Sequence, residues 1–122
     1  MTQYIEPREV RGLIQRLGFN VRDSNLLLSA LAAPLPVFGE EVCEGELAKA
    51  AALLLAINRN HPLADGNKRL AWIVAKTFLA LNGFHLASEP VAEADVFIRK
   101  VADGSVEHDE LVAWMQARVS AL

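Results

Sequence analysis

Apolar residues recur along this chain at three- and four-residue spacing, and nowhere do they alternate convincingly enough to make a buried strand. The pattern predicts an all-α fold, a compact bundle of about six helices. The first spans about Pro7 to Leu17: Pro7 suits a first turn, Val10, Leu13, Ile14 and Leu17 share one face, and Gly18 supplies the stop. The second, about Ser24 to Ala33, starts under Asp23 or Ser24 as cap and ends at Pro34. The third, about Glu46 to Asn60, is apolar on nearly all sides between Ala50 and Ile57, which places it at the centre of the bundle. The fourth, about Gly66 to Asn82, sets Leu70, Ile73, Val74, Phe78 and Leu81 on one face before Gly83. The fifth, about Pro90 to Ala102, has Ser88 as cap and turns Val91, Ala94, Phe97, Ile98 and Val101 inward, stopping near Gly104. The last, after Ser105, carries Leu111, Trp114, Met115 and Val119. Residues 34–45, PLPVFGEEVCEG, lack helical spacing and read as a loop or short hairpin, long enough to act as a flap beside a site.

The 122 residues fit one domain spanning 1–122, and 52% apolar against 22% charged residues is the balance of a packed core. The start, MTQYIEPREV, has neither the basic nor the apolar stretch of a secretory signal, and the longest apolar run, Ala50 to Ile57, is far too short to cross a bilayer. A cytoplasmic, membrane-free protein is expected. Cys43 is the sole cysteine and has no obvious activating neighbour, so neither a disulfide within the chain nor a reactive thiol is expected. A net charge of −3 disfavours direct binding of nucleic acid, which needs a broad basic surface.

The polar residues of the chain's middle are concentrated in one segment, Asn58-Arg59-Asn60-His61-Pro62-Leu63-Ala64-Asp65-Gly66-Asn67-Lys68-Arg69. Pro62 disfavours a helical backbone at His61, so the third helix ends there and the imidazole leaves its register. The next helix opens at Gly66, and its first amide groups have no partners within the helix, which makes an anion site. Gly66 lets a phosphate approach the backbone, Asn67 adds an amide donor, and Lys68 and Arg69 add charge. Arg59, Lys68 and Arg69 concentrate positive charge in an acidic protein, which suits a compact phosphate ligand better than a polynucleotide. Asp65 reads either as the helix cap or as a magnesium ligand. His61 reads either as a histidine at a helix end or as a general base acting on something in the anion pocket. A metal pair of His61 and Asp65 lacks a visible third ligand, and His85 and His108 read as structural or surface residues.

The string HPLADGNKR resembles the signature of the Fic/Doc family: His, any, Phe, any, Asp or Asn, Gly or Ala, Asn, Gly or Lys, Arg. Helix, motif loop and helix, with Phe-Gly-Glu-Glu upstream and Leu-Asn-Gly downstream, extend the resemblance over most of the chain. Lys68 stands where the adenylyl-transferring branch carries Gly, and Trp72 where it carries a second Arg; both look like the Doc branch. That resemblance implies the toxin of a toxin–antitoxin pair, a kinase-like enzyme that passes the γ-phosphate of ATP to a Ser or Thr hydroxyl, with a threonine of elongation factor Tu as target and arrested translation as result. By position it implies that His61 takes the hydroxyl proton, Asp65 binds Mg²⁺, Gly66, Asn67, Lys68 and Arg69 hold the phosphates with help from Arg59, and the loop at 34–45 is the flap that aligns the target.

Leu63 departs from the family's Phe, a residue expected to anchor the motif loop, and keeps hydrophobicity without aromatic volume. Some relatives carry an inhibitory helix marked by Ser or Thr, three residues, Glu, then Gly or Asn. Thr2 to Glu6 has that spacing, but Pro7 follows, so the resemblance implies inhibition in trans by a Phd-like antitoxin whose tail blocks the ATP site. AMP transfer to a protein hydroxyl, opposed by Lys68 and Trp72, and a non-catalytic binding module acting with its antitoxin are the alternative readings.

Overall fold

The computed structural model describes residues 1–88 and 91–122. Its elements are α1 (Pro7–Leu17), α2 (Ser24–Leu31), α3 (Glu46–Asn60), α4 (Asn67–Leu81), β1 (Phe84–Leu86), α5 (Val91–Ala102), α6 (His108–Gln116) and β2 (Val119–Ala121). The helical spacing in the sequence is therefore realised, and α3 has the bounds the sequence predicts. The expected start of the fifth helix at Pro90 lies outside the described residues.

Local chemistry accounts for most helix ends. Glu6 and Glu9 form a reciprocal capping box at the start of α1, and Gly18, at φ 77°, ends it in the left-handed conformation. The Asp23 carboxylate accepts from the Asn25 and Leu26 N–H groups and starts α2. That helix ends at Leu31, slightly earlier than expected, with Ala32 as its last cap. Residues 34–45 hold a tight turn in which Val37 and Glu40 exchange both backbone hydrogen bonds around Phe38 and Gly39, both at positive φ. The short hairpin is thus present, with the Phe38 ring fully exposed.

α3 packs against α2, α4, α5 and α6. Its alanines at 50, 51 and 56 are buried and let neighbouring helices approach, while Leu53, Leu54 and Ile57 fill the core with Leu70, Phe78 and Leu111 from α4 and α6. Fully burying one such side chain contributes about 1.5–3 kcal/mol. α5 and α6 meet through Phe97 and Trp114, stacked at 4.5 Å and 3° between ring planes, and Trp114 meets Trp72 of α4 in a T-shaped pair with centroids 6.0 Å apart.

The two short strands add to the all-α reading, which excludes only a buried, alternating strand and does not foresee this ribbon. β1 and β2 pair antiparallel with Phe84 opposite Ala121 and Leu86 opposite Val119, tying the end of α4 to the end of α6. Each is three residues long, and in the pair only Leu86 is buried, so no alternating pattern reveals them. Val119, expected on the last helix, lies in β2.

Candidate functional site

The Pro62 ring and a left-handed residue end α3 where the sequence predicts. His61 is the C-cap residue at φ 49°, ψ 59°, a conformation that costs a residue with a Cβ on the order of 1–2 kcal/mol. The strain is held by distant partners. Arg22 donates from Nε and Nη2 to the His61 carbonyl at 3.0 and 2.7 Å, and Nη2 also reaches the Asn60 carbonyl at 3.3 Å. The N–H groups of Arg22 and Asp23 both donate to the Pro62 carbonyl, the Ala64 N–H donates to the Asn20 carbonyl, and Val21 bridges to Leu63. Segment 20–23 is thus a splint along the motif loop, and the guanidinium of Arg22 also neutralises the negative end of α3.

Leu63 is 1% exposed. Its N–H donates to Asn67 Oδ1 at 2.8 Å and its carbonyl accepts from Asn67 Nδ2 at 3.0 Å, so Asn67 closes the loop as a pseudo-peptide pair. Sequence reasoning gave Asn67 to the phosphates, whereas the structure uses this side chain as a brace and leaves chiefly its backbone N–H for a ligand. Asp65 does not cap α4, contrary to one of its two readings. Gly66 occupies the cap position at φ 90°, and among the described residues Asp65 Oδ1 accepts only the adjacent Gly66 N–H at 2.9 Å.

Gly66 departs from expectation in another way. A Cβ there would lie within 2.6–2.9 Å of the Phe19 ring, so one face of this glycine is covered by an aromatic side chain. Among the described residues, the N–H groups of Asn67, Lys68 and Arg69 have no acceptor; the first hydrogen bond of α4 runs from the Leu70 N–H to the Gly66 carbonyl. Three free donors at the positive end of a fifteen-residue helix are the arrangement of groups that an anion can satisfy.

These features share one open cleft of about 450 Å³, lined by Phe19, Asn58, His61, Ala64, Asp65, Gly66, Asn67, Lys68, Arg69 and Ala102. The structure therefore brings together all the predicted site residues but one. Arg59 lines an adjoining cleft of about 210 Å³ with Leu55, Val101, Val106 and Glu107; the two clefts share Asn58 and Ala102. No group of three or more His, Cys, Asp or Glu side chains is gathered to hold a metal among the described residues. A single carboxylate such as Asp65 suits Mg²⁺, which takes its remaining ligands from phosphate oxygens and water. Arg22, Asn58 and Phe19 were missed by sequence reasoning; Arg22 and Phe19 reach the site from another part of the chain, and Asn58 read as one more polar residue at a helix end.

Outside the cleft, His108 Nε2 lies 3.0 Å from the Ala48 carbonyl and ties α6 to α3, while His85 is exposed on β1. Burial pushes the Cys43 thiol above its ordinary pKa, a shift that Lys49 opposes and Glu41 reinforces, so the thiol is not an activated nucleophile. No helix of the described residues is long and apolar enough to cross a membrane.

A sequence model of the Fic/DOC family matches residues 5–79, which takes in the splint, α3, the motif loop and most of α4. The chain is also 41% identical over 118 residues to a protein named Toxin Doc from Mycolicibacterium smegmatis, covering 93% of this chain and 91% of the relative.

Proposed function

The chain belongs to the Fic/DOC family, and from that premise we propose that it is the toxin of a toxin–antitoxin pair, acting in the cytoplasm as a protein kinase that moves the γ-phosphate of ATP onto a Ser or Thr hydroxyl, with elongation factor Tu as substrate. The observation that carries this reading is the pairing, in one cleft, of the unpartnered N-terminus of α4 with His61. The first can hold a polyphosphate and the second can hold a proton.

Phosphoryl transfer is catalysed mainly by positioning and charge stabilisation. The N–H groups of Asn67, Lys68 and Arg69 and the two cationic side chains hold the phosphates and meet the charge that develops on them. His61 accepts the proton of the incoming hydroxyl; the hydroxyl oxygen bonds to the γ-phosphorus while the bond to the β,γ-bridging oxygen breaks, and ADP leaves. Asp65 would hold Mg²⁺, which supplies charge neutralisation on the phosphate oxygens when bound. Arg22 keeps the His61 backbone in its left-handed position, and Lys68 and Trp72 support γ-phosphate over AMP transfer through the resemblance to the Doc branch.

Inhibition in trans, by a Phd-like antitoxin, is part of the same reading. Thr2–Glu6 is not helical: Thr2 Oγ1 donates to Glu46, Gln3 pairs its N–H and carbonyl with the Asn82 side chain, and Glu6 caps α1. These residues are engaged elsewhere and form no inhibitory helix of the chain's own.

Incubating the protein with elongation factor Tu, Mg²⁺ and ATP and taking the intact mass of the factor tests the proposal. A gain of one phosphate is expected. An AMP adduct moves the chain to the adenylyl-transferring branch, and an unmodified factor removes it as the substrate.

A further inference from the structure

Asn58 is one of only two buried polar or charged residues among those described, at 5% exposure, and it stands one helical turn before His61. Its Nδ2 donates to the Leu54 carbonyl at 3.0 Å, which fixes the amide with Oδ1 on the other side. Oδ1 has no partner among the described residues, yet no buried side-chain oxygen or nitrogen among them is left both sealed off and unpaired. The free oxygen is therefore open to the clefts that Asn58 lines. It can only accept, so it repels phosphate oxygens and calls for an O–H or N–H.

The position of Asn58 selects the donor. The motif cleft has its anion-binding wall on α4, and Asn58 and Ala102 form its boundary with the smaller cleft, whose apolar lining is Leu55, Val101 and Val106. A ligand with phosphates at the first α4 amides and a flat base in the smaller cleft passes Asn58 with its sugar. Resting on the reading of the α4 N-terminus as a phosphate site, we propose that Asn58 is a nucleotide-binding residue: Oδ1 accepts a hydrogen bond from a ribose hydroxyl, and the base lies against Leu55, Val101 and Val106. A further cleft that shares Lys68 and Arg69 with the motif cleft and is lined by Trp72 and Ile98 is the competing place for the base, but its carboxylate, Asp95, is engaged by Arg99 at 2.8 Å.

Calorimetric titration of the purified protein with ATP, 2′-deoxy-ATP, 3′-deoxy-ATP and inorganic tripolyphosphate tests this without any transfer reaction. The wild type is expected to bind one of the deoxynucleotides about tenfold more weakly than ATP, the loss of one buried hydrogen bond. Asn58→Leu, close in shape and unable to accept, is expected to bind ATP about tenfold more weakly, to lose that discrimination, and to bind tripolyphosphate as the wild type does. Equal wild-type affinity for ATP and both deoxynucleotides overturns the assignment even if the variant fails to fold, as does equal ATP affinity of variant and wild type. A parallel loss of ATP and tripolyphosphate affinity in the variant overturns it too, because Asn58 then acts on the phosphate site or on the cleft's shape. Wild-type protein that binds no tripolyphosphate and no ATP removes the phosphate site itself, which separates failure of the underlying reading from failure of the ribose contact.

Discussion

The ring of Phe19 occupies the space in which residue 66 would carry a Cβ: an added methyl would lie 2.6 Å from Cε1, 2.7 Å from Cζ and 2.9 Å from Cδ1. Gly66 is thus required twice, by its backbone at φ 90° and by an aromatic neighbour from the loop after α1. Phe19 also lines the motif cleft, so aromatic bulk packs on the motif loop from outside it.

Gly66→Ala is expected to lose about 2–4 kcal/mol, from a strained left-handed residue and from overpacking. Phe19→Ala should relieve the steric part alone. Urea denaturation of both single variants and the double variant measures this; costs that simply add would contradict the contact.

Asn67→Ala leaves the buried N–H and carbonyl of Leu63 without their partners and should cost about 2 kcal/mol in chemical denaturation. Asn67→Asp keeps the acceptor and loses the donor, so its stability should fall between wild type and Asn67→Ala, while its added charge weakens tripolyphosphate binding in calorimetry. An alanine variant as stable as wild type would remove the brace.

Arg22→Ala frees the carbonyls at the end of α3 without touching the phosphate donors. Because it acts through the placement of His61, it should reduce the transfer rate by about tenfold to a hundredfold and leave ATP affinity unchanged. Single-turnover rates set beside calorimetric affinities separate the two effects; matched losses in both would show that Arg22 serves binding.

Lys49 is 3% exposed, with Glu41 Oε2 at 3.2 Å, Thr2 Oγ1 at 3.3 Å and the Tyr4 ring 5.6 Å below its ammonium. Burial pushes its pKa down, but the hydrogen bond and charge of Glu41, with the Tyr4 side chain beside the ammonium, outweigh that and hold it above the ordinary 10.5. A raised folded pKa stabilises fully below the unfolded value, and that contribution is lost as pH rises through the folded one. Lys49→Met should therefore be less stable at pH 7, on the order of 1–2 kcal/mol, below the cost for a fully buried pair because Glu41 is half exposed. The two proteins should converge above about pH 10.5. Melting curves that stay parallel to the alkaline end would contradict the linkage.

The helices were legible because each buries a stripe of apolar residues between recognisable stops, Gly18, Pro34, Pro62 and Gly83 among them. The motif cleft was legible because its main residues lie in one run, His61 to Arg69. Less of its support was local in sequence: Arg22 and Phe19 reach the motif loop across some forty residues, and neither carries a pattern of its own. Asn67 and Asp65 show a different limit. Residue type suggested a ligand donor and a cap, whereas tertiary context made Asn67 a brace and gave the cap position to Gly66. The β1–β2 ribbon was invisible because three-residue strands have too few positions to show a period.

The most direct measurement of the chemistry uses ATP labelled at either the α- or the γ-phosphate, incubated with elongation factor Tu, Mg²⁺ and either wild-type protein or His61→Ala. Label on the factor from the γ position alone is expected, with transfer by His61→Ala lower by a factor on the order of 10²–10⁴ and its fold intact by circular dichroism. Label from the α position, or undiminished γ transfer by His61→Ala, would contradict phosphoryl transfer with His61 as the base.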